Sequence, residues 1–201
     1  MALISVSNNA LQNITAVPAS IPSGALVLLS TQTASSSASI SFTSGIDSTY
    51  DSYVFKFINV HPSIDTVRFE FNGSTDGGSN YNVIKTTTYF SAYHAEADDT
   101  AVLNYQTSRD LAQSTSFQNL GYSDSNNDDA SLSGTLQLFN PSSTTYVKHF
   151  ISENNVMHAY PMPLSSYVAG YFNTTSAINA IQFRYDAGNI DDGIIKMYGV
   201  K

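Results

Sequence analysis

The sequence contains no cysteine and no tryptophan, and charged residues make up only 12% of its 201 residues. That is about half the charged share of an average globular protein. Without cysteine the chain forms no disulfides, thiolate zinc sites or iron–sulfur clusters and has no catalytic thiol. The longest apolar run, residues 25–29, is too short to cross a bilayer, so we expect no membrane partner.

Positive charge is also scarce. Lysine and arginine number 8 against 16 aspartate and glutamate residues, which gives a formal net charge of −8. The cations are scattered singly, so no segment could replace the counterions of a phosphate backbone. We therefore expect no nucleic-acid partner.

The residue types that are abundant in the chain are uncharged. Serine and threonine supply about a quarter of the residues, and there are 13 tyrosines and 11 phenylalanines. Apolar residues alternate with polar ones at positions 38–42, 67–72 and 181–185, which is typical of half-buried strands. About nine strands separated by turn signals such as Asn72-Gly73 predict an all-β fold, an antiparallel β-sandwich that is jelly-roll-like.

The first residues differ from the rest. Pro18 and Pro22 exclude a helix or a central strand there, so we predict an extended N-terminal arm over residues 1–23 and a sandwich domain over residues 24–201. The arm is interpreted either as a floppy tail or as a segment that orders on a partner. Its candidate partner-binding residues are the spaced apolar ones: Leu3, Ile4, Val6, Leu11, Ile14 and Val17.

Residues 95–130 are acidic, rich in asparagine and irregular, so we expect long surface loops there. Asp124 to Asp129 cluster oxygen ligands of the kind that calcium prefers. The run lacks the glycine and the distant glutamate of an EF-hand loop, so a solvated acidic loop is favoured over a calcium site. We predict no metal and no cofactor.

The sequence gives only weak evidence for catalytic groups. His94 and Glu96 would share a strand face and could form a histidine–carboxylate pair, but no nucleophile motif accompanies them. Paired carboxylates for glycoside cleavage could be drawn from Asp98, Asp99, Asp110, Glu153 or Asp191. We expect solvated or structural roles for these residues and no enzymatic activity; a polysaccharide depolymerase is the enzyme class left open.

Five stretches of the chain carry a family resemblance: SNNALQNIT (7–15), STQTASSSASISF (30–42), LFNPSSTTYVKHF (138–150), AGYFNTTSAINAI (169–181) and GNIDDGIIKMYGV (188–200). They resemble small structural proteins encoded by tailed bacteriophages, especially marine and cyanobacterial ones. The resemblance implies a virion component, a β-sandwich in a symmetric oligomer, and no catalytic residues.

On this resemblance we expect a non-enzymatic bacteriophage virion structural protein. Its leading role would be a capsid decoration or cement protein, docked on the shell exterior through the arm. The expected partners are the major capsid protein or other virion proteins and two further copies in a homotrimer. The alternative is a tail or head fibre module that binds host surface glycans, through the loops of residues 95–130 and exposed tyrosines.

Overall fold

The computed structural model describes residues 26–201, so the predicted arm and its six apolar residues lie outside the described residues. Residues 26–201 form twelve strands and no helix, and hence no helix able to cross a membrane. The strands are β1 (Val27–Thr33), β2 (Ile40–Phe42), β3 (Ser52–Pro62), β4 (Phe69–Ser74), β5 (Lys85–His94), β6 (Ala101–Tyr105), β7 (Gln118–Asn119), β8 (Leu132–Phe139), β9 (Lys148–Met157), β10 (Pro163–Phe172), β11 (Ala180–Tyr185) and β12 (Ile190–Val200).

The strands form two antiparallel sheets. An eight-stranded sheet has the order β1-β12-β3-β8-β9-β10-β5-β6, and a four-stranded sheet has the order β2-β11-β4-β7. The chain passes repeatedly from one sheet to the other, so neighbours within a sheet are often distant in sequence. The predicted all-β antiparallel sandwich is confirmed, although its strands are divided unequally.

Phenylalanines fill the space between the sheets. The ring of Phe183 on β11 lies 5.3 Å from that of Phe55 and 5.1 Å from that of Phe57, both on β3. Phe69 on β4 stacks on the same ring at 5.9 Å. These side chains are at most 2% exposed, and burial of each stabilises the fold by about 1.5–3 kcal/mol. The alternation at residues 38–42, 67–72 and 181–185 therefore predicted most core positions correctly, but Ala38 is exposed and the polar Glu70 and Asn72 are also buried.

The unequal sheets leave part of the large sheet uncovered by strands of the small one, and the segment after β6 covers it. Leu120 in this segment is completely buried, and its carbonyl accepts hydrogen bonds from Asn154 Nδ2 at 3.1 Å and from the Ser166 hydroxyl. The expectation that residues 95–130 are surface loops is therefore wrong for part of this stretch. It contains β6 and β7, and its irregular backbone is held by polar side chains of the large sheet.

The expected strand count was also too low. The additional strands are β1, β6 and β7, of which β1 and β6 are half-buried or exposed edge strands and β7 has two residues. Edge strands bury little, so they lack a strong apolar alternation. β8 and β9, consecutive in the chain, pair as an antiparallel hairpin.

Candidate binding surface

The outer face of the eight-stranded sheet, the side turned away from the small sheet, carries exposed or half-buried side chains on all eight strands. Side chains alternate between the two faces of a strand. On β9, for example, Phe150 and Ser152 point inward and are buried, whereas His149, Ile151 and Glu153 point outward and are exposed. The outer face is thus built from every second residue of the sheet.

Aromatic and apolar side chains occupy one half of the outer face. Tyr105, Phe90 and Tyr167 lie in one cross-strand row over β6, β5 and β10. The rings of Phe90 and Tyr167 stack with centroids 4.9 Å apart and planes 10° from parallel. Leu103 beside them is 72% exposed and Phe90 is 42% exposed. We call these four residues the aromatic half; a contiguous exposed apolar patch of this kind marks an interaction site.

A shallow depression of about 440 Å³ lies next to the aromatic half, over β5, β10 and β9. Its floor includes Ala169, a small residue opposite Thr88 on one side and Ile151 on the other. Tyr171 and His149 border it, with their rings 6.0 Å apart and edge to face. The depression thus combines aromatic surface with hydroxyl and imidazole groups able to form hydrogen bonds.

The other half of the outer face carries positive charge. Lys56 on β3 lies directly opposite Lys196 on β12, and like charges in that position repel. Nζ of Lys56 is 5.5 Å from the ring centroid of Tyr198. Within residues 26–201, the ion pairs are Arg68–Asp186, His94–Asp98 and Arg184–Glu70, so neither lysine is neutralised by a carboxylate there.

The predicted histidine–carboxylate pair has a different partner. Glu96 lies in the turn after β5, and Nε2 of His94 contacts Oδ1 of Asp98 at 2.9 Å. The two side chains are 58% and 89% exposed.

The other candidate carboxylates lie on separate elements. Asp110 accepts a hydrogen bond from the Tyr105 hydroxyl at 2.6 Å, and Asp191 accepts one from the Ser36 hydroxyl at 2.6 Å. Asp99 lies in the exposed β5–β6 turn, and Glu153 points outward from β9. The structure therefore does not assemble them into one pair.

The acidic run splits into two environments. Residues 126–129 are exposed, whereas Asp124 is 2% exposed. In the described part of the chain, no group of three or more histidine, aspartate or glutamate side chains is placed to hold a metal ion. The predicted solvated acidic loop is thus correct only for residues 126–129.

Sequence reasoning missed a buried polar cluster around Asp124. Its two carboxylate oxygens have no hydrogen-bond partner within the described residues, and burial raises the pKa of Asp124 to about 8. The guanidinium of Arg109 lies 3.6 Å from the ring centroid of Tyr122, which in turn meets His158 edge to face at 5.8 Å. Burial also raises the pKa of the Tyr185 hydroxyl. Only the acidic run itself hinted at this cluster.

No family model, curated protein or solved structure matches this chain.

Proposed function

We propose that this chain is a non-enzymatic structural protein of a bacteriophage virion, acting as a decoration or cement protein on the exterior of the capsid. The observation that carries the proposal is the outer face of the large sheet, which is exposed, aromatic and poor in carboxylates on a chain of net charge −8. Depletion of charge together with exposed tyrosine and phenylalanine is the composition of a protein–protein interface.

In this proposal residues 1–23 attach the domain to the shell, with the major capsid protein or another virion protein as partner. Six apolar residues spaced along an extended arm would fit grooves of such a partner. The sandwich would then stand on the outside of the particle as a homotrimer. Its negative charge suits a surface away from packaged DNA.

The test is incorporation into particles. Deletion of residues 2–22 should abolish incorporation, as should replacement of the six apolar arm residues by serine. The matched control replaces Asn8, Asn9 and Asn13 by serine, which should leave incorporation unchanged. Hundreds of copies per purified particle would support capsid decoration. A few dozen copies or fewer would contradict it and indicate a tail or vertex component, and normal incorporation of the deletion variant would refute docking through the arm.

A second candidate function is binding of host surface glycans as part of a tail or head fibre. The depression over Ala169 favours it, because Tyr171 offers a ring for sugar stacking and Thr88 and His149 offer hydrogen bonds. A glycan array probed with the full chain tests this role. Binding should be lost in Tyr171→Ala and retained in Tyr160→Ala, an exposed tyrosine outside the depression.

A further inference from the structure

We propose that the outer face of the large sheet is a self-association surface, on which a second copy of the chain docks with its Glu153 opposite Lys56 and its Tyr167 opposite Lys196 of the first. The proposal concerns how the domain pairs with itself. It is a two-fold contact between two chains, separate from the three-fold contacts of the proposed homotrimer. It holds or fails independently of any role in a virion.

The first observation is a single cross-strand row that carries both charges. From β1 to β6 the row reads Thr31, Lys196, Lys56, Thr135, Glu153, Tyr167, Phe90 and Tyr105. Neighbouring strands are about 4.8 Å apart, so the backbones of Glu153 and Lys56 are separated by about 10 Å. Glu153 forms no ion pair in the described part of the chain, and neither does Lys56.

The row is complementary in charge to the same row on a second copy turned by 180°. A two-fold axis that lies between the two facing sheets, parallel to the strands and above Thr135, brings Glu153 of one copy onto Lys56 of the other, and the reverse contact forms at the same time. The same rotation brings Tyr167 of one copy onto Lys196 of the other, an arrangement suited to a cation–π contact. Each unneutralised charge in the row therefore gains a partner.

The remaining carboxylates of the sheet do not oppose the contact. Of all the residues in its eight strands, only Glu153, Asp191 and Asp192 are acidic, and the two aspartates lie at one end of β12. A chain of net charge −8 is repelled by its own copy unless the meeting surfaces lack acidic groups. The outer face is the part of the described surface that meets this condition over eight strands.

The face is also large enough. Eight strands about 4.8 Å apart span about 34 Å, and strands of about ten residues are about 33 Å long. A patch of that size covers about 1,100 Å², whereas a stable interface needs about 800 Å² from each partner. The aromatic half supplies its apolar content, since Leu103, Tyr105 and Phe90 are 72%, 48% and 42% exposed.

The experiment is sedimentation equilibrium of the full chain, with charge-swapped variants. Glu153→Lys should weaken self-association at least tenfold, and so should the double variant Lys56→Glu with Lys196→Glu. An equimolar mixture of these two proteins should restore association, because both contacts between positions 153 and 56 again join opposite charges. Asp128→Lys, on an exposed loop, changes the net charge by the same amount as Glu153→Lys and should have a much smaller effect.

Three results would overturn the proposal. The first is a wild-type chain that remains monomeric at about 0.1 mM. The second is association that the swaps leave unchanged while deletion of residues 2–22 abolishes it, which would assign the contact to the arm. The third is failure of the mixture to restore association. Thermal unfolding of each variant checks that the domain is folded, since all three positions are outside the core.

Discussion

Lys85 and Lys148 both point into the sandwich, and both lie opposite Phe172, one on each neighbouring strand. Each ammonium group is held by main-chain carbonyls. Nζ of Lys85 donates to Ser116 at 2.6 Å and to Val83 at 3.2 Å, and Nζ of Lys148 donates to Thr174 at 3.1 Å. Burial lowers the pKa of both side chains, that of Lys85 to about 7.

The first prediction concerns Lys85 and alkaline pH. The unfolded chain holds this proton up to about pH 10.4, whereas the folded chain releases it near pH 7. Between these values the unfolded state binds more protons, so stability rises with pH. The free energy of unfolding of the wild type relative to Lys85→Met should therefore increase from about pH 7 to about pH 10. Urea unfolding across this pH range measures the difference in stability. Lys201→Met is the control at an exposed lysine and should follow the wild-type pH profile. Parallel pH profiles for wild type and Lys85→Met would contradict the prediction.

The second prediction concerns Asp124, which makes the free energy of unfolding change with pH in the opposite direction. Its folded pKa of about 8 lies above the unfolded value of about 3.9, so the folded state binds more protons between them. Stability should fall as pH rises from about 4 to about 8, by up to about 1.4 kcal/mol per pH unit, and Asp124→Asn should remove this slope. Guanidinium unfolding at about pH 5 and about pH 8.5 measures it. Asp128→Asn, on the exposed part of the same run, should keep the wild-type slope.

The sandwich and most of its strands were predictable because the apolar side chains of β2, β4 and β11 alternate cleanly. Ile40, Phe42, Phe71 and Phe183 all pack in the core, as their spacing indicates. β2 and β11 bury mainly one face against apolar side chains, so period-two reasoning works there. β4 is buried on both faces, and its alternation did not indicate that Glu70 and Asn72 are buried as well.

The inner face of β9 shows why the rest could not be predicted. It consists of Lys148, Phe150, Ser152, Asn154 and Val156, so three of its five residues are polar and buried. The outward residues look no more polar, and the sequence does not distinguish the two faces. Asn154 donates to the backbone carbonyl of Leu120, Ser152 to that of Thr135 and Lys148 to that of Thr174, long-range pairings that no local pattern encodes.

For the candidate surface, the sequence indicated the type of residue but not its arrangement. The abundance of tyrosine indicated an interface, and Tyr105 and Tyr167 indeed lie on the exposed face. Their alignment with Phe90 in one row depends on the strand order β6-β5-β10, in which β10 is inserted from far along the chain. Composition alone could not provide this register.

The third prediction concerns the ion pair of Arg184 and Glu70. Nε of Arg184 lies 2.8 Å from Oε1 of Glu70, whose side chain is 8% exposed, and the guanidinium lies 3.8 Å from the ring centroid of Phe117. Arg184→Leu leaves a buried carboxylate without its partner. It should lower the free energy of unfolding by about 3 kcal/mol, and adding Glu70→Gln should recover at least about 1 kcal/mol.

The control for this pair is Arg68, whose ion pair with Asp186 is 3.3 Å long and whose side chain is 51% exposed. Arg68→Leu should cost less than about 1 kcal/mol, as expected of an exposed ion pair. Chemical unfolding of the four proteins measures these differences. Equal costs for Arg184→Leu and Arg68→Leu would show that burial of Glu70 has no influence.

The fourth prediction compares Gly193 with Gly77. Gly193 lies in the bulged part of β12 at a φ of 127°, and an added Cβ would stand 2.7 Å from Cα of Val60 and 2.8 Å from the carbonyl oxygen of Asn59. Overpacking and a disfavoured backbone each cost about 1–3 kcal/mol, so Gly193→Ala should cost about 3 kcal/mol or more.

The control is Gly77, which has a φ of 72°, but whose added Cβ would have no atom within 4 Å. Gly77→Ala should therefore cost about 1 kcal/mol, the backbone strain alone. Urea unfolding of both variants measures the difference. A Gly193→Ala variant as stable as Gly77→Ala would mean that β3 and β12 separate at the bulge more easily than their close contact implies.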